Sequence, residues 1–371
     1  PTLGGYITDH FDWRWIFFIN VPVGMISLLL TYRVVEDPPY LKEERKKARA
    51  RFSIDYIGLG LVVLGLGCLQ VVLDRGQEED WLASHFIATL AAVSAVALVA
   101  FCIWEWRQKH PILELKLFRN RTFGTSALMM FVVGFVLYGS TILLPLYLQQ
   151  LMGYTAELSG MVLSPGGLTV MVLMPLVGTL VSRVQARWLI AFGFGISAWA
   201  LFYMTGINPG IDFRAAVIYR IAQSIGLAFL FVPITTIAYY GIPQNSNNQV
   251  SSIISLMRNI GGSIGIAIVT TVVARRSQIH QHDLVMHVTG YDHAFRDALG
   301  GLSATLVQKG ASPADAVAQS YGRIYGYVHL QSAALAYIDT IWIQGIACLL
   351  MVPLVFLLKK NDPRKVTLAG H

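Results

Sequence analysis

Charged side chains are scarce in this chain. Asp, Glu, Lys and Arg make up 13% of its 371 residues, while 55% of the residues are hydrophobic. A water-soluble domain carries about a quarter charged residues. The shortage therefore excludes a typical soluble enzyme or binding domain, and it indicates that a lipid bilayer surrounds much of the protein.

Cysteines and catalytic motifs are equally few. Cys68, Cys102 and Cys348 lie singly inside apolar runs, and the histidines between His280 and His293 form no closed ligand set, so we expect no metal site. No GxxxxGKS, GxxxxGKT, HExxH or GxSxG sequence occurs, and we find no carboxylate pair at membrane depth. We expect a protein that is not an enzyme and has no cofactor.

Long apolar runs, by contrast, are abundant. A helix needs about 20 mostly apolar residues to cross about 30 Å of hydrocarbon, and nine stretches qualify: residues 15–35, 54–73, 85–104, 123–146, 158–181, 188–207, 215–240, 250–273 and 333–358. Residues 1–8 have the composition of the end of a further span. The sequence therefore predicts an all-α polytopic membrane protein.

Lys and Arg are concentrated in alternate connections between these stretches. One set of connections, together with the C-terminal tail, holds eighteen of them, whereas the opposite short connections hold three. Because basic loops stay in the cytoplasm, this asymmetry places the C-terminus there and the long segment 275–331 outside. The net charge of +7 then suits anionic lipid headgroups, and nucleic acid is not an expected partner.

Several motifs resemble those of the 14-spanning drug:proton antiporters of the EmrB and QacA type, in the major facilitator superfamily. PTLGG at residues 1–5 is similar to the end of the antiporter motif of the fifth span, and WRWIFFINVPVG at 13–24 to the start of the sixth. Two further segments resemble superfamily motifs less closely: GTLVSRVQAR at 178–187 and the Arg220-x-x-Gln223 pattern. In the first of these, Ser182 stands where the motif has Asp.

The resemblance implies a partial major facilitator fold. It predicts the end of an N-terminal helix bundle, a two-helix insert and a complete C-terminal six-helix bundle. Since the chain opens on Pro1 without a Met, we expect it to be a piece of a longer protein. The segments are 1–35 for the end of the first bundle, 36–52 for a basic cytoplasmic linker, 53–106 for the insert, 107–358 for the six-helix bundle and 359–371 for a cytoplasmic tail.

The resemblance also implies a function. The expected activity is multidrug efflux across the bacterial inner membrane, with a proton gradient as energy source, hydrophobic small molecules as substrates and alternating access as mechanism. A periplasmic adaptor and an outer-membrane channel are expected partners. Export of another small molecule, such as a siderophore, and an inactive fragment remain the alternatives, because fold alone does not fix the substrate.

Three charged residues inside predicted spans are candidates for proton coupling: Arg220, Arg258 and Asp339. A charged side chain at this depth in the bilayer has a high free energy unless an oppositely charged group, a hydrogen-bond partner or water contacts it. Each has a plainer explanation as well. Arg220 lies close enough to one end of its span to extend toward the interface, and Arg258 and Asp339 could be structural.

Two further groups of residues are predicted to serve transport. The substrate-cavity candidates are aromatic and amide side chains that suit hydrophobic, weakly polar compounds: Tyr138, Tyr147, Gln149, Gln150, Gln223 and Phe229. Helix packing or an interfacial position is the alternative for each. Candidates for the conformational change are Pro1, Gly4, Gly5, Pro165 and Gly167, since proline and glycine bend membrane helices.

Overall fold

A computed structural model describes residues 1–34, 55–108, 111–243 and 246–359 of the chain. The predicted linker 36–52 and the tail beyond residue 359 lie outside the described residues. Within the described ranges the regular structure is helical. The α-helices are α1 (Thr2–His10), α2 (Trp15–Phe18), α3 (Asn20–Val34), α4 (Tyr56–Arg75), α5 (His85–Arg107), α6 (Arg121–Gln150), α7 (Ala156–Val181), α8 (Ala186–Met204), α9 (Phe213–Ala238), α10 (Asn247–Val285), α11 (His293–Gln308) and α12 (Pro313–Leu354).

The predicted spans and the all-α polytopic class are confirmed. Nine helical segments in the described part of the chain are long and apolar enough to cross a membrane, and each overlaps one predicted span. Their starts follow ordinary capping chemistry. Asp55 accepts the backbone N–H of Gly58 at 2.9 Å, and Asn120 accepts that of Thr122 at 3.0 Å, so orphan donors at the helix N-termini are satisfied.

Helices α6 to α10 and α12 pack into one bundle with a shared hydrophobic core. Within the bundle, α6 contacts α10 most extensively. A Cβ atom at Gly134 would collide with the carbonyl oxygen of Arg258, and one at Gly261 with that of Phe131. Glycine is thus required where these two backbones meet, as the GGSIG sequence indicates.

Helices α4 and α5 form an antiparallel pair beside this bundle. Ser94 Oγ donates to the carbonyl oxygen of Gly65 at 2.8 Å inside the pair. The pair reaches the bundle through α4 and α10, where Ser263 Oγ donates to Gln70 Oε1 at 2.7 Å. Most of their remaining surface is exposed and apolar, which suits contact with lipid.

Helix α1 packs along the first half of α7. A Cβ atom at Gly5 would lie 2.7 Å from the carbonyl carbon of Ala156, and one at Gly160 would lie 2.7 Å from the oxygen of Pro1. Thr2 Oγ1 bonds to Ser164 Oγ and also donates to the carbonyl oxygen of Gly160 at 3.3 Å. The two backbones therefore touch over about two turns.

Segment 275–331 differs from the expected loop. Helix α10 continues to Val285, α11 follows, and α12 already begins at Pro313. The polar residues that interrupt the apolar pattern here lie on helices that extend beyond the hydrocarbon. Composition marks where the bilayer ends, and the helix continues because its backbone hydrogen bonds do not depend on lipid.

Candidate functional site

The guanidinium of Arg220 is buried inside the six-helix bundle. It donates to Gln223 Oε1 at 2.8 Å, Ser140 Oγ at 3.3 Å and Thr141 Oγ1 at 3.2 Å. Only 8% of Arg220 is exposed, so the side chain does not extend to the interface. Arg220 and Gln223 share a face of α9, as their i, i+3 spacing predicts.

The arginine is held by neutral oxygens alone. Among the residues that the structure describes, no carboxylate forms an ion pair with it, and its Nε has no hydrogen-bond partner. Gly166 of α7 leaves the space for it, because a Cβ atom there would lie 2.8 Å from Arg220 Cγ. Gly167, the predicted conformational glycine, faces open space instead.

Asp339 lies in a second polar cluster, between α10 and α12. Its Oδ2 accepts from Arg276 Nε at 2.5 Å, and His280 Nε2 lies 2.8 Å from the same oxygen. Asp339 is therefore paired with a permanent cation and an imidazole. Three ionisable side chains thus meet at one carboxylate oxygen between these two helices.

The aromatic candidate Tyr147 lies at the end of α6, in the bundle core. Its ring packs edge-on against Tyr337 of α12 at 5.3 Å between centroids. Tyr337 donates through its hydroxyl to Gln150 Oε1 at 3.3 Å. Gln149 and Gln150 are exposed at the same helix end, so three cavity candidates come together there.

The other cavity candidates lie apart from that group. Tyr138 is 38% exposed and packs over Gly262 of α10. Phe229 packs edge-on against Phe192 and joins a separate apolar cluster around Val177. Gln223 belongs to the Arg220 network. The structure thus divides the predicted cavity residues among several places.

The remaining candidates are also placed. Arg258 lies on α10, where its backbone carbonyl faces Gly134, and its Nε has no partner among the described residues. Pro1 and Gly5 lie in the contact between α1 and α7, whereas Gly4 faces open space. Pro165 lies inside α7. Their roles in transport stay predictions.

Sequence reasoning missed three polar residues in the spans. Arg276 and His280 were assigned to a loop, although both lie on α10 and face Asp339. Gln344 of α12 is fully buried beside Gly139 of α6, and its amide atoms have no partner in the described ranges. The position of Gln344 inside the apolar run IWIQGIACLL is the feature of the sequence that could have indicated a buried polar residue.

No metal centre is evident in the part of the chain that the structure describes, which holds no group of three or more His, Cys, Asp or Glu side chains in ligand geometry. The buried polar atoms are amide, hydroxyl and guanidinium groups for the most part. These groups can form hydrogen bonds to a bound molecule and orient it.

Comparisons with known proteins agree with this architecture. The sequence model of the Major Facilitator Superfamily matches residues 1–266. Multidrug export protein EmrB of Escherichia coli K12 is 35% identical over 312 residues, which cover 83% of this chain and 60% of EmrB. Fatty acid resistance protein FarB of Neisseria gonorrhoeae is 32% identical over 360 residues, which cover 97% of this chain and 68% of FarB.

A third relative is the probable multidrug resistance protein EmrY of Escherichia coli, which is 34% identical over 80% of this chain and 57% of EmrY. The chain spans about 60% of the length of EmrB, the first of these relatives. The nine long apolar helices and the family match, which covers more than half of the chain, lead to one conclusion. This chain belongs to the Major Facilitator Superfamily, among the relatives of EmrB.

Proposed function

We propose that the protein exports hydrophobic compounds across the bacterial inner membrane in exchange for protons. The observation that carries this proposal is the cluster of Asp339, Arg276 and His280 between two helices of the six-helix bundle. A carboxylate that is shared by a fixed cation and an imidazole changes its bonding when a proton arrives. The membership of a transporter superfamily supports coupling of that change to transport.

The substrate class rests on the names of the relatives and on the polar groups inside the bundle. EmrB and EmrY are named multidrug proteins. In the bundle, neutral amide and hydroxyl groups surround the guanidinium of Arg220. Such a site suits large apolar compounds that need few directed hydrogen bonds, because shape-filling contacts supply most of the affinity.

The mechanism we propose is alternating access. The contact between α1 and α7 joins the segment before α3 to the six-helix bundle through glycines and a hydroxyl pair. The small residues of this contact favour relative movement of the two parts, and at one end of the contact the hydrogen bond from the Glu157 N–H to Asp9 Oδ2 and the 3.7 Å contact between His10 and Glu157 would have to open. The proton gradient is the proposed energy source. A periplasmic adaptor and an outer-membrane channel are proposed partners by likeness to EmrB.

Efflux measurements test the proposal. Cells that express the protein from its own gene are loaded with a fluorescent hydrophobic dye, and dye release is followed with and without a protonophore. We expect release that stops when the protonophore is added and continues after ATP depletion while the proton gradient is maintained. Release that persists without a gradient contradicts proton coupling.

The orientation is tested separately. We propose a cytoplasmic C-terminus, because basic residues are concentrated in alternate connections. In Ser182→Cys and Lys309→Cys variants, a membrane-impermeant thiol reagent added to intact cells should label position 309 and should not label position 182. Labelling of both positions in intact cells contradicts the proposed topology.

A second candidate is export of amphipathic carboxylates. FarB is named a fatty acid resistance protein and covers nearly the whole chain. Arg220 has no carboxylate partner among the described residues, so the carboxylate of a substrate could complete its charge balance. Deletion of the gene decides between the candidates. Increased sensitivity to long-chain fatty acids with unchanged dye sensitivity favours the second, and the reverse favours multidrug export.

A further inference from the structure

Two carboxylates meet where the two-helix insert joins the six-helix bundle. Asp55 caps the start of α4, and Glu105 lies in the last turn of α5, fifty positions later in the sequence. A Cβ atom at Gly58 would lie 2.7 Å from Asp55 Oδ2 and 2.9 Å from Glu105 Oε1. The absence of a side chain at Gly58 thus lets both carboxylates share one small space, although no local pattern in the sequence indicates such a pair.

The two groups have different surroundings. Asp55 accepts hydrogen bonds from the Gly58 backbone at 2.9 Å and from Trp104 Nε1 at 2.8 Å. The Gly58 N–H, followed by other donors, holds the pKa of Asp55 below its usual value. Asp55 therefore keeps its negative charge, and a proton that enters the pair goes to Glu105.

Glu105 is 2% exposed. Its Oε1 accepts from the backbone N–H of Ile112 at 3.2 Å, at the start of the connection to α6. Its Oε2 is buried and has no hydrogen-bond partner in the described residues. A buried oxygen without a donor is costly as part of an anion, and protonation removes that charge.

Neither carboxylate forms an ion pair within the described ranges. Glu114, on the connection that follows α5, accepts from Ser246 Oγ instead. Among the described residues, the other charged or titratable side chains at this end of the adjoining elements are exposed: Tyr56, Cys102, Arg107, Lys116, Arg119 and Arg121. Two neighbouring carboxylates that no described cation pairs with resist double ionisation.

We propose that Asp55 and Glu105 bind one proton between them near neutral pH, as a carboxyl–carboxylate pair that joins the two helices of the insert. The proton resides on Glu105 and leaves Asp55 ionised. Loss of the proton puts two negative charges around Gly58 and pushes the start of α4 away from the end of α5. This site is separate from the Asp339 cluster, and it does not depend on the proposed export activity.

Infrared spectroscopy of the purified full chain in lipid nanodiscs tests the proposal. A buried protonated carboxyl group gives a C=O stretching band that is distinct from the bands of carboxylates. We expect such a band at neutral pH, and we expect it to be lost in Glu105→Gln. Gln keeps an acceptor for the Ile112 N–H, so this variant should fold.

Asp55→Asn should weaken the proton affinity of Glu105 by about tenfold or more, because it removes the neighbouring charge. The matched control is Asp74→Asn, at the opposite end of α4, where Asp74 accepts from Gln70 Nε2 at 2.9 Å. This control should leave the titration midpoint of the band unchanged. The proposal is overturned if no neutral-pH band depends on Glu105, or if Asp55→Asn leaves the midpoint in place.

Reaction with a hydrophobic carbodiimide gives a second measurement on the unaltered protein, should a variant fail to fold. Carbodiimides add to protonated carboxyl groups in apolar surroundings, so mass spectrometry should find modified Glu105 at neutral pH and less modification as the pH rises. An unmodified Glu105 across this range contradicts the proposal.

Discussion

The six-helix bundle and the two-helix insert place charge in the membrane in opposite ways. In the bundle, the apolar part of α6 is 67% buried, and the helix lies beside a buried cation with neutral partners. In the insert, the corresponding fractions are 17% for α4 and 22% for α5, and the buried ionisable group is Glu105 at one end, next to the half-buried Asp55. The bundle is thus organised around a polar interior, whereas the insert has polar contacts only where it meets its neighbours.

This difference explains why the two regions should tolerate change unequally. The bundle depends on backbone contacts between α6 and α10 that leave no room for a side chain. The exposed faces of the insert are apolar and touch little protein. Substitutions in the bundle interior should therefore have large effects, and those on the insert surface small ones.

The largest effect is expected for Gly261→Leu. Its side chain would be forced against the backbone of Phe131, which is worse than the overpacking that commonly costs about 1–3 kcal/mol. We expect most of the protein to aggregate on extraction into mild detergent, as measured by size-exclusion chromatography. Gly67→Leu in α4 is the control, because nothing lies within 4 Å of a Cβ atom there. Equal yields of the two variants would remove the proposed distinction between the regions.

The next largest effect is expected for Arg220→Ala. The measurement is the rate of dye efflux from cells that express the variant at the normal level. Loss of the guanidinium leaves Gln223, Ser140 and Thr141 without their shared donor. We expect the efflux rate to fall about tenfold or more, since each unsatisfied buried group costs about 1–3 kcal/mol. Arg183→Ala, in the connection after α7, should leave the rate nearly unchanged.

Arg220→Lys sharpens this prediction. Lysine keeps the charge but lacks the planar fork that reaches three oxygens at once. We therefore expect a rate between those of the wild type and Arg220→Ala. A rate in Arg220→Ala equal to that of the wild type would show that the buried guanidinium takes no part in transport.

A smaller effect, on pH dependence, is expected at the Asp339 cluster. Asp339→Asn removes the negative charge that Arg276 and His280 share and leaves a neutral amide in its place. We expect efflux in this variant to depend less steeply on external pH, with maximal rates within about tenfold of the wild type. Asp297→Asn, on α11, serves as the control. A pH profile that is unchanged in Asp339→Asn would place proton coupling elsewhere in the protein.

The smallest effect is expected where the insert contacts the bundle. Ser263→Ala removes the hydrogen bond from α10 to Gln70 of α4, and such bonds between membrane helices contribute about 0.6 kcal/mol. We expect a small decrease in thermal stability, measured by nanoscale fluorimetry. Ser252→Ala, whose hydroxyl bonds within its own helix, should change stability less. A large loss in the first variant would show that the insert is bound more tightly than its contacts indicate.

The spans were predictable from the sequence because hydrocarbon imposes one simple requirement on every helix that crosses it. The pairing of Arg220 with Gln223 was predictable too, since both lie on one helix three positions apart. The glycine spacing in GGSIG at residues 261–265 likewise favours close packing of one helix face. Periodicity within a helix is therefore the information that the sequence carries best.

Contacts between distant helices were not predictable in this way. Asp339 and His280 are separated by 59 positions and Asp55 and Glu105 by 50, and no local pattern connects either pair. The continuation of α10 to Val285 was also missed, because hydropathy reports the extent of the bilayer and gives no sign of where a helix ends. The prediction that Phe229 lines the cavity rests on its residue type alone. In the structure, Phe229 lies on a face of α9 that packs against the apolar cluster around Val177.

The length of two helices has a practical consequence for imaging. Helix α10 has 39 residues and α12 has 42, so at 1.5 Å per residue they measure about 58 and 63 Å, roughly twice the thickness of the hydrocarbon. Helix α11 packs against α12, so the parts of these helices that exceed the hydrocarbon thickness form a helical protrusion. Small transporters are difficult to align in electron micrographs because the surrounding detergent or lipid disc hides their orientation. This protrusion gives each particle image an intrinsic direction marker, without a bound antibody fragment.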